Sequence, residues 1–280
     1  MTTCLLKPGV SFALVVAMTL VASGPLLAHG DQESRLHDID HRIEESPRDA
    51  RLYLRRGRIL RDSAQWQQAL AQYRQALALD PLLAEALFWQ ADAMLGLNDP
   101  GQARHYVEAY LEQVPGSSKG WRLLAETCRL REDYAAGVAV LDKAIRLDEL
   151  VPPQTFLNRA YLQARAGVSA KRILAGYDHA LVRFPGNIAV IDRALSLAQR
   201  EGLWERAEDY WQQIPDTARQ QPKWLLRRAN LSAAQGKGQQ ARVFAAESLS
   251  AWQALPSSRR QSPAMRNLRS QIDRMLVAGD

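Results

Sequence analysis

Six rows of the sequence, laid beneath one another, put side chains of the same size in the same columns. With starts at residues 50, 84, 118, 154, 188 and 222, the steps are 34, 34, 36, 34 and 34. The twentieth column then reads Ala69, Ala103, Gly137, Ile173, Ala207 and Ala241. The fourth is always large and apolar: Tyr53, Leu87, Trp121, Leu157, Ile191 and Leu225. The seventeenth holds Trp66, Tyr134 and Trp204 among smaller residues, and the twenty-fourth holds Tyr73, Val107, Leu141, Tyr177, Trp211 and Ala245. Near the eighth, Gly57, Ala91, Ala125, Ala160 and Ala229 recur, with Leu195 as the exception and Ala160 displaced by one. Within a row, as in SAQWQQALAQYRQALALDP (63–81), the apolar stripe formed by Trp66, Ala69, Tyr73 and Ala76 is narrow and half alanine. Such a helix removes little apolar area from water by itself, so it needs neighbours on two sides. A fixed period of this length therefore restricts the chain to stacked helix pairs, each buried by the next. Abundant alanine, leucine, glutamine and arginine, with few β-branched residues, give high helix propensity throughout, and the chain reads as all-α.

These columns resemble the tetratricopeptide-repeat family, whose 34-residue helix-turn-helix unit carries large residues near positions 4, 11, 17 and 24, small ones at 8, 20 and 27, and proline at 32. Pro81, Pro115 and Pro185 end three of the rows. The match spans residues 50 to about 255 and is strongest in the first three rows. The resemblance implies a right-handed α-solenoid of about six repeats, non-catalytic, that binds another protein along a wall of first helices. In this reading the small residues at positions 8 and 20 let the two helices of one repeat approach, and the large ones at 4, 17 and 24 fill the space between repeats. Two departures have readable causes. VPP at 151–153 holds the two extra residues before row four, and Pro215 shortens the second helix of row five. The array occupies 50–256. A leading helix is expected over 33–46 within an N-terminal segment 29–49, and a trailing helix over 264–279 within a C-terminal segment 257–280.

Residues 1–28 have a different character. Lys7 supplies the positive start, 10–22 is apolar, and Ala28 closes SGPLLA, the pattern of a secretory signal peptide. The expected location is the periplasm, with an uncleaved, membrane-anchored form as an alternative. No other segment approaches the ~20 apolar residues of a membrane helix. Removing 1–28 takes Cys4 and Lys7, leaving Cys128 as the single cysteine and a net charge of +5. An exported chain with one cysteine has no internal disulfide and is held by packing alone.

Arginine supplies most of the positive charge. The family's ligand-facing positions 2, 5, 6, 9 and 12 fall here on Arg55 and Arg58 in row one, Phe88 and Trp89 in row two, and Lys119, Arg122, Glu126 and Arg129 in row three. In rows four to six they fall on Asn158, Arg159, Arg193, Lys223, Arg227 and Asn230. Arg55, Arg159, Arg193 and Arg227 share one column, so a regular array would set them in file. A guanidinium fork grips carboxylates in a bidentate way, so an acidic, extended segment is the expected ligand, with Trp89 as an apolar anchor. Arginines on a helix are also often merely solvated or paired with nearby acids, worth ~0–1 kcal/mol.

Three of the five histidines, His29, His37 and His41, lie together in HGDQESRLHDIDH. Cleavage after Ala28 would give His29 a free amine beside its imidazole, and His37 and His41 are one turn apart. A periplasmic metal-binding protein is therefore the alternative function. Solvated histidines are the plainer reading, and no cofactor is assigned. No GxxxxGK[ST], GxSxG, CxxC or GxGxxG element is present, so nothing in the sequence points to catalysis. Export argues against a nucleic-acid partner, and self-association stays open.

Overall fold

The computed structural model describes residues 26–277, with side chains from Gln32 onward, as sixteen helices and no strand among the described residues. Two compact units divide at Pro81. The first holds α1 (Leu26–Glu45), α2 (Ala50–Asp62) and α3 (Trp66–Leu79). The second begins with the pairs α4 (Ala84–Gly96) with α5 (Pro100–Gln113) and α6 (Ser118–Leu130) with α7 (Tyr134–Leu147). It continues with α8 (Pro153–Arg165), α9 (Ala170–Arg183), α10 (Ile188–Arg200), α11 (Trp204–Gln212) and the single turn α12 (Asp216–Arg219). The last pair is α13 (Pro222–Ala234) with α14 (Gly238–Gln253), followed by the turn α15 (Ser257–Arg260) and by α16 (Pro263–Val277). The signal-peptide expectation falls on residues outside the description, apart from Leu26–Ala28. Those residues open α1, so the boundary drawn at 28 lies within a helix that begins earlier than 33.

Each first helix is thirteen residues long and ends in the same turn. Ala64, Asn98 and Glu132, then Gly167, Gly202 and Gly236, all have φ between 57° and 74°. The next residue's N–H reaches back to a carbonyl of the helix's last turn, as in Gln65 N to Leu60 O at 3.0 Å and Lys237 N to Ser232 O at 2.9 Å. This left-handed closure satisfies carbonyls the helix end would otherwise leave open. Asp49, Asp99, Ser117 and Asn187 cap the starts of α2, α5, α6 and α10, accepting from Arg51 N, Gln102 N, Gly120 N and Val190 N. Pro100, Pro153 and Pro222 stand in first turns, where no amide hydrogen is needed.

The recurring turn corrects the register of row four. Gly167 is its left-handed residue, so the row starts at 153, and Ala160 then sits in the small column without displacement. The two extra residues are split, one ahead of α8 and one between Gly167 and Ala170. Val151 is fully buried in the core that α8 to α11 share, which gives the first of them a packing role.

The two small columns are buried, as is the twenty-fourth apart from the half-buried Trp211, whereas the fourth and seventeenth are mostly half-buried; the partners differ from expectation in one respect. Tyr73 is fully buried, and a Cβ at Gly57 would lie 2.3 Å from its Cε1, so this large residue fills a notch inside its own repeat. Gly137 likewise opens space for Leu162 of the following repeat, 2.8 Å from where its Cβ would be. Ala69, Ala103 and Ala207 have no exposed surface. Pro215 ends α11 after nine residues, as expected, and Ile214 beside it is fully buried. The trailing helix α16 packs on α14 and α13, burying Leu268 and Ile272 against Leu226.

Candidate functional site

A groove of about 300 Å³ crosses the second unit where α4, α6 and α8 lie side by side. Its floor is apolar, from Phe88, Leu123, Leu141 and Leu162, and its polar lining comes from Lys119, Arg122, Glu126, Arg129 and Asn158. Phe88 meets Tyr110 edge-on at 5.4 Å and Trp89 at 5.1 Å. The ammonium of Lys119 sits 4.9 Å from the Phe88 ring centroid, within cation–π range. Trp89 turns its indole N–H to Glu85 at 3.1 Å, and Phe88, not Trp89, is the aromatic that lines the groove.

The charges do not cancel. Arg129 holds Glu126 through two hydrogen bonds of 2.8 and 2.5 Å, and this contact raises the guanidinium above its ordinary range. That pair neutralises itself and leaves Lys119 and Arg122 as the net charge of the lining. Arg122 is half-buried, and its Nε is buried with no acceptor. The Ser118 hydroxyl donating at 2.7 Å and Leu150 N at 2.8 Å hold the Asp148 carboxyl below its ordinary pKa, and the charge of Arg122 adds to this, yet no hydrogen bond joins Arg122 to Asp148.

The arginines expected in one column are distributed differently, and the corrected start of row four at 153 takes Arg159 off that column and puts Asn158 at its position 6. Arg159 donates to Asp142 of α7 at 2.5 Å, and Gly176 of α9 leaves room for its guanidinium, since a Cβ there would lie 2.7 Å from Nη1. Arg227 pairs with Asp192 of α10 at 2.9 Å and donates to the Ser196 hydroxyl at 2.9 Å. Burial lowers its proton affinity, and the Asp192 charge opposes that shift. These two arginines tie neighbouring helices together. Arg193 is exposed and makes no ion pair among the described residues. In the first unit Arg55 borders a small cleft against α1 with Arg35, Asp38 and Arg42, and Arg58 is exposed on α2. Within the second unit, therefore, Arg159, Arg193 and Arg227 do not form one file of unpaired cations.

His37 and His41 are exposed on α1, and His41 Nδ1 lies 3.5 Å from Glu45; the side chain of His29 lies outside the described residues. Among the described residues no group of three His, Cys, Asp or Glu side chains could hold a metal ion. Cys128 is buried, where desolvation raises its thiol above the usual range. No described helix is long and apolar enough to cross a membrane.

The stretch from the end of α2 into α6 coincides with a family model. Residues 60–127 match a model described as tetratricopeptide repeat. The matched segment consists of tetratricopeptide repeats. No curated protein matches it. Among solved structures, one titled as the functional characterisation of pilF from Pseudomonas aeruginosa aligns over 81% of this chain and 100% of its own, at 17% identity and a TM-score of 0.55. A tetratricopeptide-repeat protein from Parabacteroides merdae aligns over 88% of this chain and 94% of its own, at 15% identity and a TM-score of 0.53. YrrB, titled as a protein with an unusual peptide-binding site, covers 72% of this chain and 95% of its own, at 18% identity and a TM-score of 0.51. At these identities the likeness is one of fold.

Proposed function

We propose that this protein is a non-catalytic scaffold of the periplasm that holds an extended, acidic segment of a partner protein in the groove between α4, α6 and α8. The observation that carries the reading is Arg122, whose buried Nε has no acceptor beside a groove with a net positive lining. Leaving such a donor unpaired costs about 1–3 kcal/mol, which a ligand carboxylate recovers on binding. Phe88 and the leucines beneath it offer an apolar anchor next to that charge, the arrangement of a peptide-binding hot spot. Peptide binding by YrrB, a protein of the same fold, is consistent with this use of the architecture.

Export rests on the sequence of residues 1–28 and is tested by fractionation: the chain should leave the cell with the sphaeroplast supernatant, and retention with the cytoplasm would refute it. The groove is tested by passing periplasmic extract over the immobilised protein and over Arg122→Glu. Wild type should retain a partner that the variant, of unchanged helical circular dichroism, does not. Equal retention by both would move the site elsewhere.

A further inference from the structure

The last repeat and its trailing helix enclose a second cleft whose chemistry differs from that of the groove. It has a volume of about 630 Å³ and lies between the start of α13, the α15 turn and the start of α16. Pro222, Leu255, Met265 and Leu268 make its apolar walls, and Lys223 and Arg259 stand among its polar lining. None of its nine lining residues is a carboxylate. A neighbouring cleft of about 430 Å³ shares Lys223, Met265 and Leu268, adds Arg227, and is likewise without a carboxylate.

The sequence explains the imbalance. From Ser248 to Ile272 there are four arginines and no acidic residue. Arg269 is answered by Asp273 at 2.9 Å, and Arg260 stacks on Trp252 at 5.4 Å. Lys223 and Arg227 share the single carboxylate of Asp192. Arg259 and Arg266 are exposed and make no ion pair among the described residues. The site is thus positively charged and apolar at once, with charge in excess of its own counter-ions.

We infer that this C-terminal cleft is a second docking site, for a segment of a partner protein in which a large apolar side chain is flanked by acidic residues. The apolar residue enters between Leu255, Met265 and Leu268, and the flanking carboxylates meet Arg259 and Lys223. Charge complementarity selects the acidic flanks, and depth selects a side chain. A membrane surface would call for a protruding apolar face, whereas these walls are recessed. The inference is independent of the groove at Arg122, since the two share no residue.

The test is selection of a displayed random-peptide library on the full chain, with enriched peptides re-measured by fluorescence anisotropy. Arg259→Glu reverses an unpaired, exposed charge and Ser258→Trp fills the cleft, and neither position is buried, so both variants should keep the parent circular dichroism. The expected result is a class of peptides with an aromatic or aliphatic residue among acids whose affinity falls at least tenfold in both variants and is unchanged in Arg122→Glu. Peptides without acidic enrichment overturn the proposal, as do peptides that respond to Arg122→Glu alone, or binding of anionic phosphatidylglycerol vesicles that Arg259→Glu abolishes while no peptide class depends on the cleft.

Discussion

Replacing Gly57 by alanine sets two effects of known size against each other. Alanine in a helix interior is favoured over glycine by about 1 kcal/mol, so on propensity alone the change stabilises α2. The new Cβ, however, would lie 2.3 Å from Cε1, 2.7 Å from Cδ1 and 3.0 Å from Cζ of Tyr73. Carbon atoms rest about 3.5–4.0 Å apart, so the fully buried ring must retreat by more than an ångström. Forcing an extra methyl group into a packed core costs about 1–3 kcal/mol, and overlap with a whole ring edge belongs at the upper end. The net expectation is destabilisation by about 1–2 kcal/mol. Tyr73→Leu removes the ring edge, and in that background Gly57→Ala should be neutral or stabilising. Because repeat units open locally, the readout is amide exchange in α2 and α3 across all four members of the cycle, alongside urea unfolding followed by circular dichroism. If Gly57→Ala stabilises equally with and without the tyrosine, the packing drawn here between positions 8 and 24 is refuted.

Further outcomes follow from the same structure. Tyr210 is fully buried and its hydroxyl donates to Asp178 at 2.6 Å while accepting from Arg206 at 2.7 Å, so Tyr210→Phe should cost about 1.5–3 kcal/mol in chemical unfolding, and a neutral variant would show that Arg206 alone satisfies Asp178. Glu132 occupies the left-handed turn position with φ 61°, so Glu132→Gly should stabilise by about 0.5–1 kcal/mol, whereas Gly202→Ala, at φ 69°, should cost about as much; a destabilised Glu132→Gly would contradict the turn assignment. Hydrogen bonds from Ser118 and Leu150 lower the pKa of Asp148 below its unfolded value. Its contribution is therefore complete above the unfolded carboxylate pKa and is lost as pH falls through the lowered one. Ser118→Ala should bring this loss to a higher pH in the carboxylate resonance titrated by NMR, and an unmoved titration would exclude the hydroxyl as the cause.

Much of this fold was legible because the repeat forces equivalent residues into equivalent surroundings. Ala69, Ala103, Ala207 and Tyr73 could be placed in the core from their columns alone, and all are fully buried. Row four was misregistered because Ile173 and Tyr177 align its second helix one residue later than its first. The cue was Gly167, since Gly202 and Gly236 mark the same left-handed turn in the next two rows. Side-chain destinations were less legible. The sequence places Arg159 and Arg227 in one column with Arg193, but their acids, Asp142 and Asp192, come from neighbouring repeats, and a row read by itself does not contain them. The sequence favoured Trp89 over Phe88 as the anchor, and only the packing of Phe88 on Tyr110 and the reach of Trp89 to Glu85 reverse that choice. The C-terminal cleft was half visible, as an acid-free run from 248 to 272, while its walls depend on how α16 closes on α13 and α14.

The central claim, that the groove between α4, α6 and α8 holds a partner protein, is tested most directly in the intact periplasm with a photoreactive residue at Asn158, which is exposed at the groove, and a control at Gln67 on α3. A reproducible crosslinked partner from Asn158, weakened by Arg122→Glu and carrying the attachment on an acidic segment, is the predicted result. Crosslinks from Gln67 alone, only between copies of this chain, or undiminished by Arg122→Glu would contradict it.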